Sequence, residues 1–429
     1  MDASTLRQDF FDNCQRYWPN KAEHVASLDV TELCLPDYPC FPPVLTQVAL
    51  PKWAEDIAIN GSLVVPSFCT RDNDWKNTDW PLAGAWYLHS LAEREYEKQF
   101  GPIHSYSLKL QKWPKIMWKY AWVNRIALFL RRWAAHAQNV EEDTVFGEKP
   151  TPQLILTFDV DAVSLAPAIR LKQGAFNLFN AFRYIKNRKW KQIIPSCVKA
   201  GKFLCGPSNE WSLSTVLEIC EQKEGRAIFN FPAQSSKPPF SDFKRWLFDP
   251  GYDVRSITSF FSELKNSQHI VGLHPSFLHW KDAGALSDSR QNLENICGQQ
   301  VLWCRQHWLR FSFADTWRAQ YKAGILHDCT LGFNDVSGFR NGAALRFTPI
   351  DFETGERMRH FTALPLVFMD SQAYDYSDDS NQGNFSEMRA VISEVIAVGG
   401  VATILWHPHT LFEPYGWMDG FIELLDMLP

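Results

Sequence analysis

The stretch "LILTFDVDAV" (residues 154–163) runs apolar for most of a strand and then ends in two aspartates, Asp159 and Asp161. In an extended strand, residues i and i+2 share a face, so the two carboxylates are expected side by side. Like charges at that spacing repel, and a bound cation is the simplest compensation. The stretch therefore predicts a buried strand whose C-terminal end carries chemistry.

Working outward, further short apolar runs follow: "AIFNF" (227–231), "IVGL" (270–273), "WLRFSF" (308–313), "LPLVFM" (364–369) and "VATILW" (401–406). Helix-like segments such as "ADTWRAQYKAG" (314–324) and "FSEMRAVISEVIAVGG" (385–400) lie between them. Strands alternating with helices predict an α/β fold with a parallel sheet, open or closed into a barrel. In such folds reactive side chains collect at the C-terminal strand ends. Candidates in those positions are Asp159 and Asp161, then His274 in "VGLHPS", His307 and Arg310 in "HWLRFSF", Asp370 after "LVFM", and His407 and His409 in "ILWHPH". One carboxylate with two imidazoles suits zinc or another divalent transition metal. A second carboxylate beside the metal can act as base and a separate histidine as acid.

The 429 residues allow two domains, and "EEDTVFGEKPTPQ" (141–153) reads as a linker between them. The segment before it is rich in Pro and Trp and carries no motif assignable to chemistry. The formal net charge of −5 argues against a dedicated nucleic-acid binder. The N-terminus "MDASTLRQDFFDNC" lacks a signal-peptide pattern, and "IAVGGVATILW" (396–406) is too short to span a membrane. The ten cysteines form no C-x-x-C pair, which suits reduced thiols and a cytoplasmic location. Two stretches, 99–140 and 163–209, are basic and free of Asp and Glu. In the first, Asn124, Arg125, Arg131 and Arg132 share one helical face. These stretches predict either solvated helix faces or a surface for anionic lipid, in peripheral contact with the inner membrane, or for a diphosphate.

From about residue 152 onward the chain resembles the NodB-type polysaccharide deacetylases of carbohydrate esterase family four. The resemblance rests on Thr157-Phe158-Asp159-Val160-Asp161, on "RAIFNFPA", "VGLHPS" and "LRFSFADTWRAQYKAGILHDCTLGF", and on "TILWHPH". It implies a distorted (β/α) barrel over 151–429, preceded by an accessory domain over 1–150. It also implies metal-dependent removal of an acetyl or similar acyl group from a carbohydrate. By the same resemblance, Asp159 is the catalytic base, Asp161 and His274 are metal ligands, Arg310 orients the base, and His407 is the general acid.

The family's second motif carries two histidines at i and i+4, whereas here His274 and His279 are five apart, across Pro275. The third ligand is therefore His307 or His279, with His307 favoured by the "HWLRF" string. Arg340 in "GFRNG" is a candidate for an anionic or acyl part of the substrate, or else a turn-flanking arginine. Asp370 reads as a further site carboxylate or as the cap of the next segment, with the cap favoured. A nucleotide-linked or lipid-linked sugar of surface-polysaccharide biosynthesis is the expected substrate. Two other readings start from the same residues. Asp159-Val160-Asp161-Ala162-Val163 fits the first motif of haloacid-dehalogenase-type phosphatases, with "YSDDS" (376–380) as a weak acidic partner. A barrel that binds sugar without turnover is the other.

Overall fold

The computed structural model describes residues 1–428 except 37–39, 187, 208–210, 223–224, 235–238 and 377–382. Eight parallel strands make the central sheet: β1 (Gln153–Asp159), β2 (Ile228–Phe231), β3 (Ile270–Leu273), β4 (Trp303–Cys304), β5 (His327–Asp328), β6 (Thr362–Ala363), β7 (Leu366–Met369) and β8 (Val401–Trp406). Their spatial order is β6-β5-β4-β3-β2-β1-β8-β7. The two edge strands, β6 and β7, are consecutive in the chain, with only Leu364 and Pro365 between them. Two residues span roughly 7 Å, so the sheet has to curl until its edges nearly meet. The crossing segment bonds to both sides: Leu364 N–H donates to Asp328 O at 2.8 Å, and Pro365 O accepts from Thr403 N–H at 2.8 Å. Proline lacks the N–H that a further ladder rung would need. The result is the parallel sheet expected from the apolar runs, curled into the distorted (β/α) barrel that the resemblance implied.

β1 and β8 hold the centre because they are long and apolar on both faces, as a strand covered on two sides must be. They pair over six residues, from Gln153 with Val401 to Phe158 with Trp406. One expected strand is absent. "WLRFSF" forms a tight bend at His307–Leu309 and then a loop, and its Phe311 and Phe313 pack on Trp317 instead. The strands on this side are the two-residue β4 and β5, too short to show as apolar runs.

The described residues of 1–150 contribute no strand to this sheet. They form helices, including Ala3–Asn13, Trp80–Leu88, Leu91–Phe100 and Trp122–Ala137, with a small antiparallel hairpin, Leu45–Ala49 and Ser62–Pro66. Their aromatic side chains join one apolar core with the barrel, which runs from Phe10, Trp80 and Phe129 through to Phe158 and Trp406. Helix Trp122–Ala137 does not offer its basic face to solvent or lipid. Arg125 binds Glu394 through Nε at 2.8 Å and Nη2 at 2.6 Å, Asn124 donates to Ala344 O at 2.7 Å, and Arg131 binds Glu142 at 2.8 Å. Arg132 also binds Glu142, at 2.8 Å. The acidic partners lie outside the acid-free stretch, which hid the pairing from the sequence. Part of the expected linker is likewise docked: Glu142–Phe146 is a short helix with Phe146 buried.

Candidate metal centre

The strand ends at Asp159, and the two aspartates do not lie on one strand face. Val160 N–H still bonds across to Asn230 O at 2.9 Å, but Asp161 N–H turns back to Asp159 O at 3.0 Å. This i to i+2 turn swings Asp161 out of the strand and gives the two carboxylates different neighbours.

Asp159 is buried. Its Oδ1 accepts from Asn230 Nδ2 at 2.8 Å and faces Arg305 Nε at 3.2 Å. Its Oδ2 lies 3.8 Å from His274 Nε2. Asn230 reaches Asp159 over Gly272 of the next strand, where any Cβ would collide with Asn230 Oδ1. Glycine is required there by close approach. Arg305 is fully buried and donates from Nη2 to Thr157 Oγ1 at 2.6 Å, and Thr157 in turn donates to Ile404 O.

Asp161 meets three imidazoles. Its Oδ1 lies 3.1 Å from His274 Nε2 and 3.5 Å from His307 Nε2, and its Oδ2 lies 3.7 Å from His407 Nε2. Burial pushes the Asp161 carboxyl up, but His307, His274 and His407 outweigh it and hold the group well below the usual carboxylate range. His274 follows β3, and its Nδ1 is fixed on Arg305 O at 2.7 Å. That bond makes Nδ1 the donor and leaves Nε2, facing Asp161, as the nitrogen free to bind a cation. Burial opposes charging of His274, but Asp159 and Asp161 raise its pKa on balance.

His307 is delivered by an unusual bend. Trp308 and Leu309 both have positive φ, 57° and 46°. Left-handed backbone costs about 1–2 kcal/mol per bulky residue, so other contacts must hold it. Trp308 O accepts from Asn334 Nδ2 at 3.0 Å and from Ser105 Oγ at 3.1 Å, so the N-terminal segment helps to aim this histidine.

Asp161, His274 and His307 can each offer one donor atom within 4.8 Å of the others. Four tetrahedral donors about 2.05 Å from zinc stand roughly 3.3 Å apart, close to the 3.1 and 3.5 Å observed. Asp161 Oδ1 and His307 Nδ1 are buried without a well-formed hydrogen bond. His307 Nδ1 faces Asp249 Oδ1 at 3.7 Å, a carboxylate behind a ligand imidazole. Asp249 is anchored by Ser276 Oγ at 2.6 Å and Phe277 N–H at 2.8 Å. Burial pushes the Asp249 carboxyl up, yet the His307 imidazole holds it well below its ordinary range. These residues fit a divalent cation. His279 is not among them and does not line the cavity.

On the other side of β1, His407 follows β8. Its Nδ1 bonds Asp370 Oδ1 at 2.8 Å, and its own N–H donates to Asp370 Oδ2 at 2.9 Å. Thr410 Oγ1 adds a third bond to Asp370 at 3.0 Å. Burial lowers the His407 pKa, but Asp370 first and Asp161 next raise it to about 10. Asp370 is therefore not a helix cap; Met369 holds that position. Asp370 is the buried partner of His407. His409, stacked on Trp211, is pushed by burial and by His407 down to about 4.

Two arginines are not where the sequence suggested. Arg310 donates to Phe277 O at 3.0 Å, contacts His104 at 3.3 Å and lies over the rings of Phe277 and Trp280, away from Asp159. Arg305, immediately after β4, makes the contact expected of Arg310. The strand on this side is Trp303–Cys304 and not "WLRFSF", so the arginine at its end is Arg305. Arg340 is buried against Glu93 and Gly332 O, an ion pair between the N-terminal helices and the barrel. It does not line the cavity. Of "YSDDS", only Tyr376 is among the described residues.

The cavity over these groups has a volume of about 370 Å³. Asp159, Asp161, His274, His307, His407 and His409 line its polar part, and Phe176, Phe248, Trp308, Tyr415 and Trp417 its apolar walls. Lys172 also lines it, 4.5 Å above the Trp308 ring. Asp375 on its wall is raised by burial to about 7.

No family model matches this chain. No curated protein matches it either. Among solved structures it is similar to a candidate polysaccharide deacetylase from Mycobacterium smegmatis, at 13% identity, covering 65% of this chain and 89% of that one, with a TM-score of 0.38. A mutant of a CE4-family pseudoenzyme with restored enzymatic activity matches at 13% identity over 65% of this chain and 64% of its own, with a TM-score of 0.26. A candidate polysaccharide deacetylase involved in O-antigen biosynthesis, from Bordetella bronchiseptica, matches at 12% identity over 63% and 79%, with a TM-score of 0.25. These are distant fold relationships, and the chemistry has to be argued from this chain's own side chains.

Proposed function

We propose that the cavity hydrolyses an acetyl or similar acyl group from a sugar, with a divalent metal, zinc first, held by Asp161, His274 and His307. The observation that carries this reading is the division of polar groups around β1. Three donors converge at cation spacing on one side, and a histidine backed by a buried carboxylate stands on the other. When bound, the metal supplies Lewis acidity and a water of lowered pKa. Asp159 accepts the proton of the attacking water on Oδ2, because Asn230 and Arg305 occupy Oδ1 and fix its plane. His407, kept protonated by Asp370, donates a proton from Nε2 to the departing amine or alcohol. The aromatic walls suit the apolar faces of a sugar ring. Lys172 is placed to meet an anionic group, the role first assigned to Arg340.

The substrate is a nucleotide-linked or lipid-linked sugar of surface-polysaccharide assembly, and residues 1–150 act as an accessory domain that braces the His307 bend. Purified protein should bind one equivalent of zinc and release acetate from an acetylated sugar diphosphate donor. Stoichiometric metal without acetate release from any sugar donor would sink the hydrolase reading and leave a binding protein.

A further inference from the structure

Between β1 and β2 the chain forms a helical hairpin, α1 (Pro167–Lys186) and α2 (Trp190–Cys205), whose amphipathicity is inverted. The inner face of α1 is small or polar: Gly174, Asn177, Asn180, Ala181 and Tyr184 are buried. That of α2 presents Ser196, Ala200 and Phe203. Gly174 permits the close approach, since a Cβ there would strike Leu204. The outward stripes are apolar at helical spacing. On α1, Leu171, Leu178, Phe179, Phe182 and Ile185 are exposed, Phe179 by 63% and Phe182 by 66%. On α2, Trp190, Ile194 and Val198 are exposed, Ile194 by 73%. Small residues between helices with large apolar ones outside is the arrangement used where the surroundings are lipid.

Charge points the same way. Residues 163–209 hold nine Lys and Arg and no Asp or Glu, in a chain of net charge −5. Lys186, Arg188 and Lys191, around the turn of the hairpin, are exposed. No helix among the described residues is long and apolar enough to cross a membrane. Apolar stripes flanked by lysine and arginine, without a span, fit a segment lying in an interface.

We infer that the α1–α2 hairpin docks the protein on an anionic lipid surface. The opposite side of the same hairpin belongs to the cavity: Ile169, Lys172 and Phe176 of α1 line it, and Phe203 of α2 packs edge-on against Tyr415 at 4.8 Å. The docked hairpin would thus set the cavity mouth beside the headgroups, which suits a substrate carried on a lipid diphosphate. That last step rests on the proposed hydrolase reading; the docking surface does not.

Sedimentation of the 429-residue protein with vesicles separates the two. Phosphatidylcholine vesicles containing phosphatidylglycerol should carry the protein down, and phosphatidylcholine alone should not. Phe179→Ser, Phe182→Ser and Ile194→Ser combined should weaken binding more than about tenfold, and so should Lys186→Glu with Lys191→Glu. All five side chains are exposed, so thermal unfolding should stay close to that of the parent. Equal binding to both vesicles, no binding to either, or binding indifferent to both variant sets would overturn the inference. So would a solution dimer that the serine variant splits while vesicles bind nothing, since the face would then belong to a second copy of the chain. Acetate release from soluble donors is unaffected by any of these outcomes.

Discussion

The C-terminal ends of β3 and β4 and those of β7 and β8 flank the same aspartate pair, yet they use histidine in opposite ways. On the β3–β4 side, His274 turns Nδ1 to the Arg305 carbonyl and offers Nε2 to Asp161, while His307, its Nδ1 3.7 Å from Asp249, brings Nε2 to the same Asp161 oxygen from a strained bend. Behind His274, a neutral carbonyl leaves the second nitrogen suited to a cation. On the β7–β8 side, His407 is backed by Asp370, a fully buried carboxylate that stabilises the imidazolium. His274 and His407 differ at the second nitrogen, which meets a carbonyl in one and a carboxylate in the other, and this suits the first ring to a cation and the second to a proton.

Three substitutions can break this division. Asp161→Ala carries the largest expected effect: loss of stoichiometric metal, with a fall in turnover beyond the ~10⁴-fold upper range of a single acid–base group. His407→Ala should lower turnover by about 10²–10⁴-fold while metal content, read by elemental analysis, stays at one equivalent. The loss should shrink for an acetyl ester with a good leaving group, which needs no acid. Metal loss in His407→Ala as severe as in His274→Ala would abolish the distinction between the two sides.

Asp370→Asn should cost about 10–100-fold, as for partners standing behind a functional histidine. Its sign in pH is fixed. In the proposed mechanism His407 acts as an acid when protonated, so the rate should fall as pH rises through its pKa. Asp370 is the main group raising that pKa towards about 10. Removing its charge should therefore move the alkaline limb of the kcat profile to lower pH. An unmoved limb would separate His407 from the proton that limits the rate.

Much of this was legible in the sequence. Buried strands need apolar runs, so β1, β3 and β8 stand out in the sequence, and the structure brings His274 and His407, which follow β3 and β8, to 3.1 and 3.7 Å from Asp161, which follows β1. The parts that stayed hidden share a physical cause: they depend on who meets whom across the fold. β4 and β5 are two residues long and leave no periodic trace. The bend at Trp308 and Leu309 has no glycine to mark it, because its positive φ angles are held by Ser105 and Asn334, distant in sequence. Asp249 sits in "FDPG", which reads as a turn and nothing more. The basic face of Trp122–Ala137 had the same composition as the hairpin stretch, and only the position of Glu394 and Glu142 made it an internal one.

The smallest expected effect comes from the arginine that the sequence favoured. Arg310 packs over Phe277 and Trp280 and donates to Phe277 O, with no contact to either aspartate. Its charge is partly exposed, and a cation over an aromatic ring in that setting is worth about 0.5–1 kcal/mol. Arg310→Ala should therefore lower stability slightly and leave kcat within about twofold, less than half the 1.4 kcal/mol that a tenfold change represents. Arg305 is different because its guanidinium is buried and braces both Asp159 and Thr157. Arg305→Lys keeps the charge but loses the fork, and Asp159 should then be held in a poorer orientation, seen as a lower kcat with little change in KM. If the two variants exchanged these outcomes, with Arg310→Ala slow and Arg305→Lys unaffected, the base would not be Asp159 in the setting described. The sheet order would stand, but the assignment of chemistry to the end of β4 would not.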